Sequence, residues 1–251
     1  MTGETAIDRK VYSVTGADAL TFLQGMVSND VLALGRGDGI VWAALLTPQG
    51  KYLADFLVVA DQGRVLLDIK ASIADTTIRR LLMYRLRADV QIAASDLTVT
   101  RGLGDTPPGA MADPRHPALG WRAYGLVAGS APQIDWDAIR VTYCIPETGI
   151  ELIPDESYLL EAGFDRLHGV DFRKGCYVGQ EVTARMKHKT ELRKGLMRVR
   201  VEGVAPVGTP LMADDKPAGT LFTQSGGQGI AYLRFDRVNG LTAGDAAVIL
   251  E

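Results

Sequence analysis

Eight consecutive residues, Lys174-Gly175-Cys176-Tyr177-Val178-Gly179-Gln180-Glu181, set an amine, a thiol, an amide and a carboxylate side by side, with two glycines to let the backbone turn. A core strand does not carry that many polar groups in a row. A thiolate is the nucleophilic and metal-ligating form of cysteine, and neighbouring cations favour it. Arg173 and Lys174 are such neighbours of Cys176. The opposing reading is a small buried hydrophobe, the commoner fate of an unpaired cysteine. On spacing alone the two weigh equally. The other cysteine, Cys144, lies in an apolar-leaning stretch with no such company.

Charge gathers around the same segment. Between positions 173 and 194 seven Lys or Arg residues face two glutamates, a local excess of +5 on a chain whose net charge is −3. A cationic segment on an acidic protein suggests an anionic small ligand or a local RNA contact, although most charge runs are solvated faces. Asp55 interrupts the apolar run Leu53 to Val59. Strand alternation puts it on one face with Leu53 and Leu57, which predicts a rim position beside something apolar. Asn29 and Asp30 follow the first helical pattern and suit its termination, and Trp136 could stack a flat heterocycle or simply fill a core. His116, His168 and His188 show no metal-ligand spacing, so no metal site is expected. Walker A, GxGxxG and GxSxG patterns are missing.

Elements must position these groups. The spacing predicts a strand at 11–14 and a helix opening at Asp18 with Leu20, Leu23 and Val27 on one face. A hairpin follows over 40–46 and 52–60, turned by Pro48-Gln49-Gly50. Next come a strand at 64–69, a helix over 72–87 with Ile73, Ile78, Leu81, Leu82 and Leu86 inward, and strands at 90–93 and 97–100. That order is α+β rather than doubly wound. Positions 106–117 form a loop or junction, and 135–143 and 157–167 are short helices. From Leu196 short β runs alternate with Gly- and Pro-rich turns, the pattern of a small antiparallel barrel. The boundary falls near 193, giving regions 1–192 and 193–251. With 251 residues and two cysteines the chain predicts a reducing, cytoplasmic location. Its first residues lack a secretory signal pattern, and its longest apolar run is too short to span a membrane.

The run from Lys174 to Glu181, continuing Val182-Thr183-Ala184-Arg185, closely resembles the KGCYxGQE signature of the YgfZ family. These are folate-binding proteins similar to the T-protein, the aminomethyltransferase of the glycine cleavage system. Gly16-Ala17-Asp18, Phe22-Leu23-Gln24-Gly25, Asn29-Asp30-Val31, Gln49-Gly50-Lys51, Asp113-Pro114-Arg115 and Leu119-Gly120-Trp121-Arg122 resemble further family motifs in order. So do Trp136, Arg140 and Ile145-Pro146, with Cys144 where the family usually has glycine.

The resemblance implies an α+β, T-protein-like folate-binding fold, in which two interleaved α+β subdomains and a C-terminal antiparallel β-barrel surround a central cavity. It implies tetrahydrofolate or a one-carbon-substituted folate as cofactor. Cys176 is then the functional thiol. Lys174, Trp136, Tyr177, Gln180, Glu181, Arg185 and Asn29 are the folate contacts, with the basic side chains at the glutamate tail. Partners would be the iron–sulfur assembly machinery or client iron–sulfur proteins, with tRNA as a further candidate and no membrane. Where the T-protein has paired aspartates the chain reads Ala54-Asp55, and the T-protein's pterin-binding glutamate stretch has no counterpart. Those departures argue against ordinary aminomethyl transfer. The competing expectation is a one-carbon transferase acting on a small amine or tRNA, with Asp55 as general base. A third is a folate-free interaction module.

Overall fold

The computed structural model describes residues 3–61, 63–189 and 191–250. The chain divides into two compact units, Met1–Ile134 with Asp165–Gln180 and Asp135–Phe164 with Glu181–Glu251.

In the first unit the strands are β1 (Glu4–Thr5), β2 (Arg9–Thr15), β3 (Gly39–Leu46), β4 (Tyr52–Asp61), β5 (Arg64–Lys70), β6 (Gln91–Ala94), β7 (Thr98–Gly102), β8 (Met111–Ala112) and β9 (Trp121–Gly125). Its helices are α1 (Ala19–Met26) and α2 (Ala71–Tyr84). Five strands pair in the order β3-β4-β5-β2-β6, and four in the order β1-β7-β9-β8. The predicted hairpin is β3–β4, in antiparallel register from Gly39 opposite Ala60 to Leu46 opposite Tyr52. Leu23 and Met26 of α1 and Ala74, Ile78 and Leu81 of α2 share one apolar core with Phe56, Val58, Leu67 and Ile69 of the large sheet. Each large side chain fully removed from water there contributes about 1.5–3 kcal/mol.

Helix α2 ends earlier than the apolar spacing predicts. It stops at Tyr84, and Leu86 takes a left-handed backbone, φ 47°. Leu82 and Leu86, expected to face inward, are exposed. The stretch 106–117 is largely loop, as its composition implies, but it carries the buried Asp113 and Arg115 and belongs to the first unit.

These two residues belong to an ion network that ties the two sheets together. Asp68 of β5 is buried. It accepts from Arg9 Nε at 2.5 Å, Arg122 Nη1 at 3.0 Å and Tyr124 OH at 3.0 Å. Arg122, on β9, also donates to Asp113, which in turn is gripped in a fork by Arg115 at 2.9 and 2.8 Å. Burial alone would raise both carboxyl pKa values, yet Arg9 and Arg122 hold Asp68 below its usual range, and Arg115 and Arg122 do the same for Asp113.

The second unit contains α3 (Trp136–Tyr143), α4 (Gln180–Lys189, whose first residue closes the first unit) and strands β10 (Lys194–Glu202), β11 (Thr209–Ala213), β12 (Lys216–Ser225), β13 (Gln228–Arg234), β14 (Leu241–Ala243) and β15 (Ala246–Leu250). The strands close into a barrel in the order β10-β13-β12-β11-β14-β15. Its interior is filled by small and branched residues such as Val199, Leu211, Ala218, Leu221, Ala231 and Leu233. Asp135 caps α3 by accepting the Ala138 N–H at 2.9 Å. No helix forms over 157–167: this stretch is a series of turns, broken by Gly163 at φ 78°. Leu159, Leu160, Ala162, Phe164 and Leu167 are all buried, so its apolar spacing records burial on every side rather than one helical face.

Candidate functional site

The signature loop hangs on the end of helix α1. The last carbonyls of a helix have no partner within it. Here Lys174 supplies one from outside: its Nζ donates to the carbonyl oxygens of Gln24 and of Val27, the latter at 2.7 Å. A cation at that end also meets the negative pole of the helix. The ammonium lies over the Tyr177 ring, 4.7 Å from its centroid. Gln24 returns the contact, with Nε2 donating to the Lys174 carbonyl at 3.1 Å while Oε1 accepts the Val31 N–H. The Val178 N–H donates to the Gly25 carbonyl at 3.3 Å. Burial lowers the Lys174 pKa to about 8, with Asp30, Asp171 and Cys176 pulling it back up.

Gly179 lets the loop press against the β3–β4 turn. It has φ 82°, and a Cβ there would stand 2.5 Å from the Thr47 carbonyl oxygen. Gly175 has φ 93° and faces open space, so it serves the turn itself. Between these glycines Tyr177 is buried and Cys176 is exposed. The loop is thus held at Lys174, Tyr177 and Val178 and presents a thiol to solvent.

The chain leading into the loop is stitched to the same segment. Ser28 donates to the Gly169 carbonyl at 2.7 Å and accepts from the Ala44 N–H. Asn29 donates both amide hydrogens, to the Trp42 carbonyl at 2.8 Å and the His168 carbonyl at 2.7 Å, and its Oδ1 accepts the Asp30 N–H. Asn29 therefore braces the loop through its whole amide group. Gln24 stands in one of the stretches that resemble family motifs, without a role foretold for it. Ser28, His168 and Asp171 enter this constellation unannounced by the sequence.

Asp55 lies on β4. It is buried, 6% exposed, and not at a rim. Trp42 Nε1 donates to its Oδ2 at 2.8 Å and Tyr52 OH to its Oδ1 at 2.7 Å. Asp55 is buried with Leu57, whereas Leu53, expected on the same face, packs against the core that holds Ala54, Phe56 and Val58. The Arg115 guanidinium sits 5.9 Å from the centroid of the Trp42 ring.

Lys174, Cys176, Tyr177, Gln180, Asn29 and Asp55 belong to the first unit; Trp136, Glu181 and Arg185 belong to the second. Trp136 is the first residue of α3 and is half-buried. Four residues on, Arg140 is buried and donates to Glu151 at 2.9 Å and to Thr223 Oγ1 of the barrel at 2.8 Å. Burial would lower its pKa, but Glu151 raises it above the ordinary value. Cys144 is the left-handed cap of α3, φ 50°. Arg185 pairs with Glu181 across one turn of α4 at 2.9 Å, both exposed. Among the described residues no group of three or more His, Cys, Asp or Glu side chains is placed to hold a metal ion.

Against known proteins, the chain is 30% identical over 274 residues to the human mitochondrial iron–sulfur cluster assembly factor IBA57, across 92% of this chain and 77% of that protein. The chain belongs to the IBA57 family. A mitochondrial member from Mycosarcoma maydis is 32% identical over 219 residues, 75% of this chain and 54% of its own length. The chain spans about half the length of the fungal IBA57 relatives it matches. Residues 193–251 match the C-terminal β-barrel domain of CAF17, the segment that forms the closed barrel. Aminomethyltransferase T of the glycine cleavage system from Bartonella henselae superposes with a TM-score of 0.73 at 13% identity, over 96% of this chain and 82% of that one. The IBA57 family member thus has the aminomethyltransferase fold that the sequence implied. Its relatives are named as mitochondrial. No described helix is long and apolar enough to cross a membrane.

Proposed function

We propose that this protein acts in iron–sulfur cluster assembly or maintenance, with Cys176 as the residue that meets the cluster. One observation carries the reading: Cys176 presents an exposed thiol on a loop fastened at Lys174, Tyr177 and Val178. A thiol so presented can donate one bond to an iron. Clusters are held by about four protein ligands, and the described residues near Cys176 offer no further group of metal-ligating side chains. The cluster is therefore a cargo shared with another protein, and the partners are assembly-machinery or client proteins that bring the remaining ligands. A reducing compartment, the cytoplasm or a mitochondrial matrix, suits a chain with no disulfide between its two cysteines.

Reduced folate is the proposed cofactor, and the side chains fit its anionic tail better than its pterin. Lys174 places two of its three hydrogens on carbonyls and keeps one for a carboxylate. Tyr177 and Gln180, in the same unit, extend that set. Asp55 already receives Trp42 and Tyr52 on its two oxygens, which weighs against its serving as the base of a one-carbon transferase. Contact between α4 and tRNA rests on its charge alone.

The test is complementation of a strain lacking its own family member, read by the activity of iron–sulfur enzymes. Wild type and Asp55→Asn should restore activity and Cys176→Ala should not. Restoration by Cys176→Ala would end the proposal. Calorimetric titration of the purified protein with tetrahydrofolate tests the cofactor separately, since a ligand that binds only the folded state must also raise the melting temperature.

A further inference from the structure

The end of α2 exposes what a folded chain ordinarily hides. Leu82 is 37%, Met83 77%, Tyr84 41% and Leu86 87% exposed, four large apolar side chains within five positions. The remaining position is Arg85, and Arg87 follows. Arg79 and Arg80 stand on the preceding turn of the helix. Among the described residues none of these four guanidinium groups forms a salt bridge within the protein. The nearby acids are turned elsewhere: Asp75 to Lys10 and Tyr12, and Asp89 to the Ala17 N–H. The opposite side of α2 is already committed, through Ala74, Ile78 and Leu81, to the core of the first unit. Arg85 donates to the Val90 carbonyl and Arg79 to Thr76 Oγ1, each at 3.4 Å, so the patch is an apolar surface flanked by four arginines that form no salt bridge among the described residues.

We propose that the 79–87 surface docks the acidic face of a partner protein. Its composition selects that occupant. Met, Tyr and Arg are enriched at the centres of protein interfaces and Lys is depleted, and this patch holds Met, Tyr and four Arg without a Lys. A phosphate backbone would leave Leu82, Met83 and Leu86 without a role. A lipid surface calls for a long apolar helical face, whereas the apolar face of α2 lies in the core and only its last turn is free. The four arginines call for carboxylates on the partner, with an apolar contact at its centre. Docking here is separate from the Cys176 chemistry and does not need the thiol.

The experiment places the photo-crosslinking residue p-benzoylphenylalanine at position 83 of the full chain in cells, with position 21, exposed on α1, as control. The cross-linked protein is identified, purified and titrated against wild type, Arg85→Glu and Met83→Ser, each first shown to melt as wild type does. The proposal predicts an acidic partner captured from position 83 and not from position 21. Its affinity should fall about tenfold in Arg85→Glu and with added salt. Cys176→Ala should bind as well as wild type, which separates failure here from failure of the proposed function. Capture only of a second copy of this chain, of lipid or of RNA would overturn the proposal. So would an affinity unchanged in both variants, or capture no greater than from position 21.

Discussion

Replacing Lys174 by Met keeps the length of the side chain and removes its charge and its donors. Two ammonium–carbonyl bonds are lost, to Gln24 and Val27. Hydrogen bonds to charged groups contribute about 1.5–3 kcal/mol each, and part exposure puts this pair at the low end, about 3 kcal/mol together. The Tyr177 contact adds about 0.5 kcal/mol. Relief of the partly buried charge returns about 1–2 kcal/mol. The net cost is about 2 kcal/mol, or about a 30-fold rise in the population of the opened loop. Gln24 and Val178 still tether the loop, so the fold should persist. Hydrogen exchange of the Val178 amide, which is bonded to Gly25, reads this directly. A second reading comes from pH. Lys174 has a pKa of about 8 in the folded protein and about 10.4 when unfolded. Between those values the unfolded chain holds more protons, so this lysine makes the wild type gain stability as pH rises through that window. The variant should lack that rise. Unchanged Val178 protection in Lys174→Met would refute the clamp and with it the reason the thiol is held in place.

Four further outcomes follow from the packing. Asp68→Ala strands Arg9 and Arg122 as buried charges and should cost about 3–5 kcal/mol in denaturant unfolding, with the first unit affected. Because Asp68 and Asp113 have lowered pKa values, the stability they provide is complete above about pH 4 and fades as pH falls through their folded values; an acid titration followed by circular dichroism checks the sign. Asp55→Asn keeps a carbonyl oxygen for the Trp42 N–H but turns an amide NH2 towards Tyr52, whose hydroxyl must then accept rather than donate; losing the acceptor's charge from both bonds should cost about 1–3 kcal/mol, seen as a lower melting temperature with altered tryptophan fluorescence. At the left-handed cap of α3, Cys144→Gly should be tolerated whereas Cys144→Val should lose about 1–2 kcal/mol, by thermal melting.

Much of the architecture was legible because it rests on local pattern. The β3–β4 hairpin announced itself through two apolar runs on either side of Pro48-Gln49-Gly50, and the barrel through short β runs between Gly- and Pro-rich turns. Barrel strands β11 and β14 are short, and one opens on Thr209-Pro210; only closure of the ring defines them. Stretch 157–167 misled for a related reason. Its carbonyl at Glu161 accepts the Leu196 N–H, and its Glu161 carboxylate accepts the Tyr232 hydroxyl, long-range demands that no helical period records. The exposed Leu82 and Leu86 misled in the opposite sense, since apolar spacing predicts burial whether or not the fold supplies a cover. At the site, the octapeptide singled out Cys176 and Lys174 by composition. The embrace of Lys174 by Gln24 and Val27 joins residues about 150 positions apart, and nothing in either segment encodes the other. The same holds for Asp68, Asp113 and Arg122, whose pairing exists only once the two sheets meet.

The account turns on one sulfur atom that reaches iron and needs help to keep it. Anaerobic reconstitution of the purified protein with iron and sulfide, with and without glutathione as a second thiol source, measures that by visible charge-transfer absorption. Wild type and Cys144→Ala should hold a cluster when glutathione is present and lose it when the tripeptide is withdrawn, and Cys176→Ala should hold none in either condition. A stable cluster on Cys176→Ala, or on the wild type with no added thiol, would contradict the account.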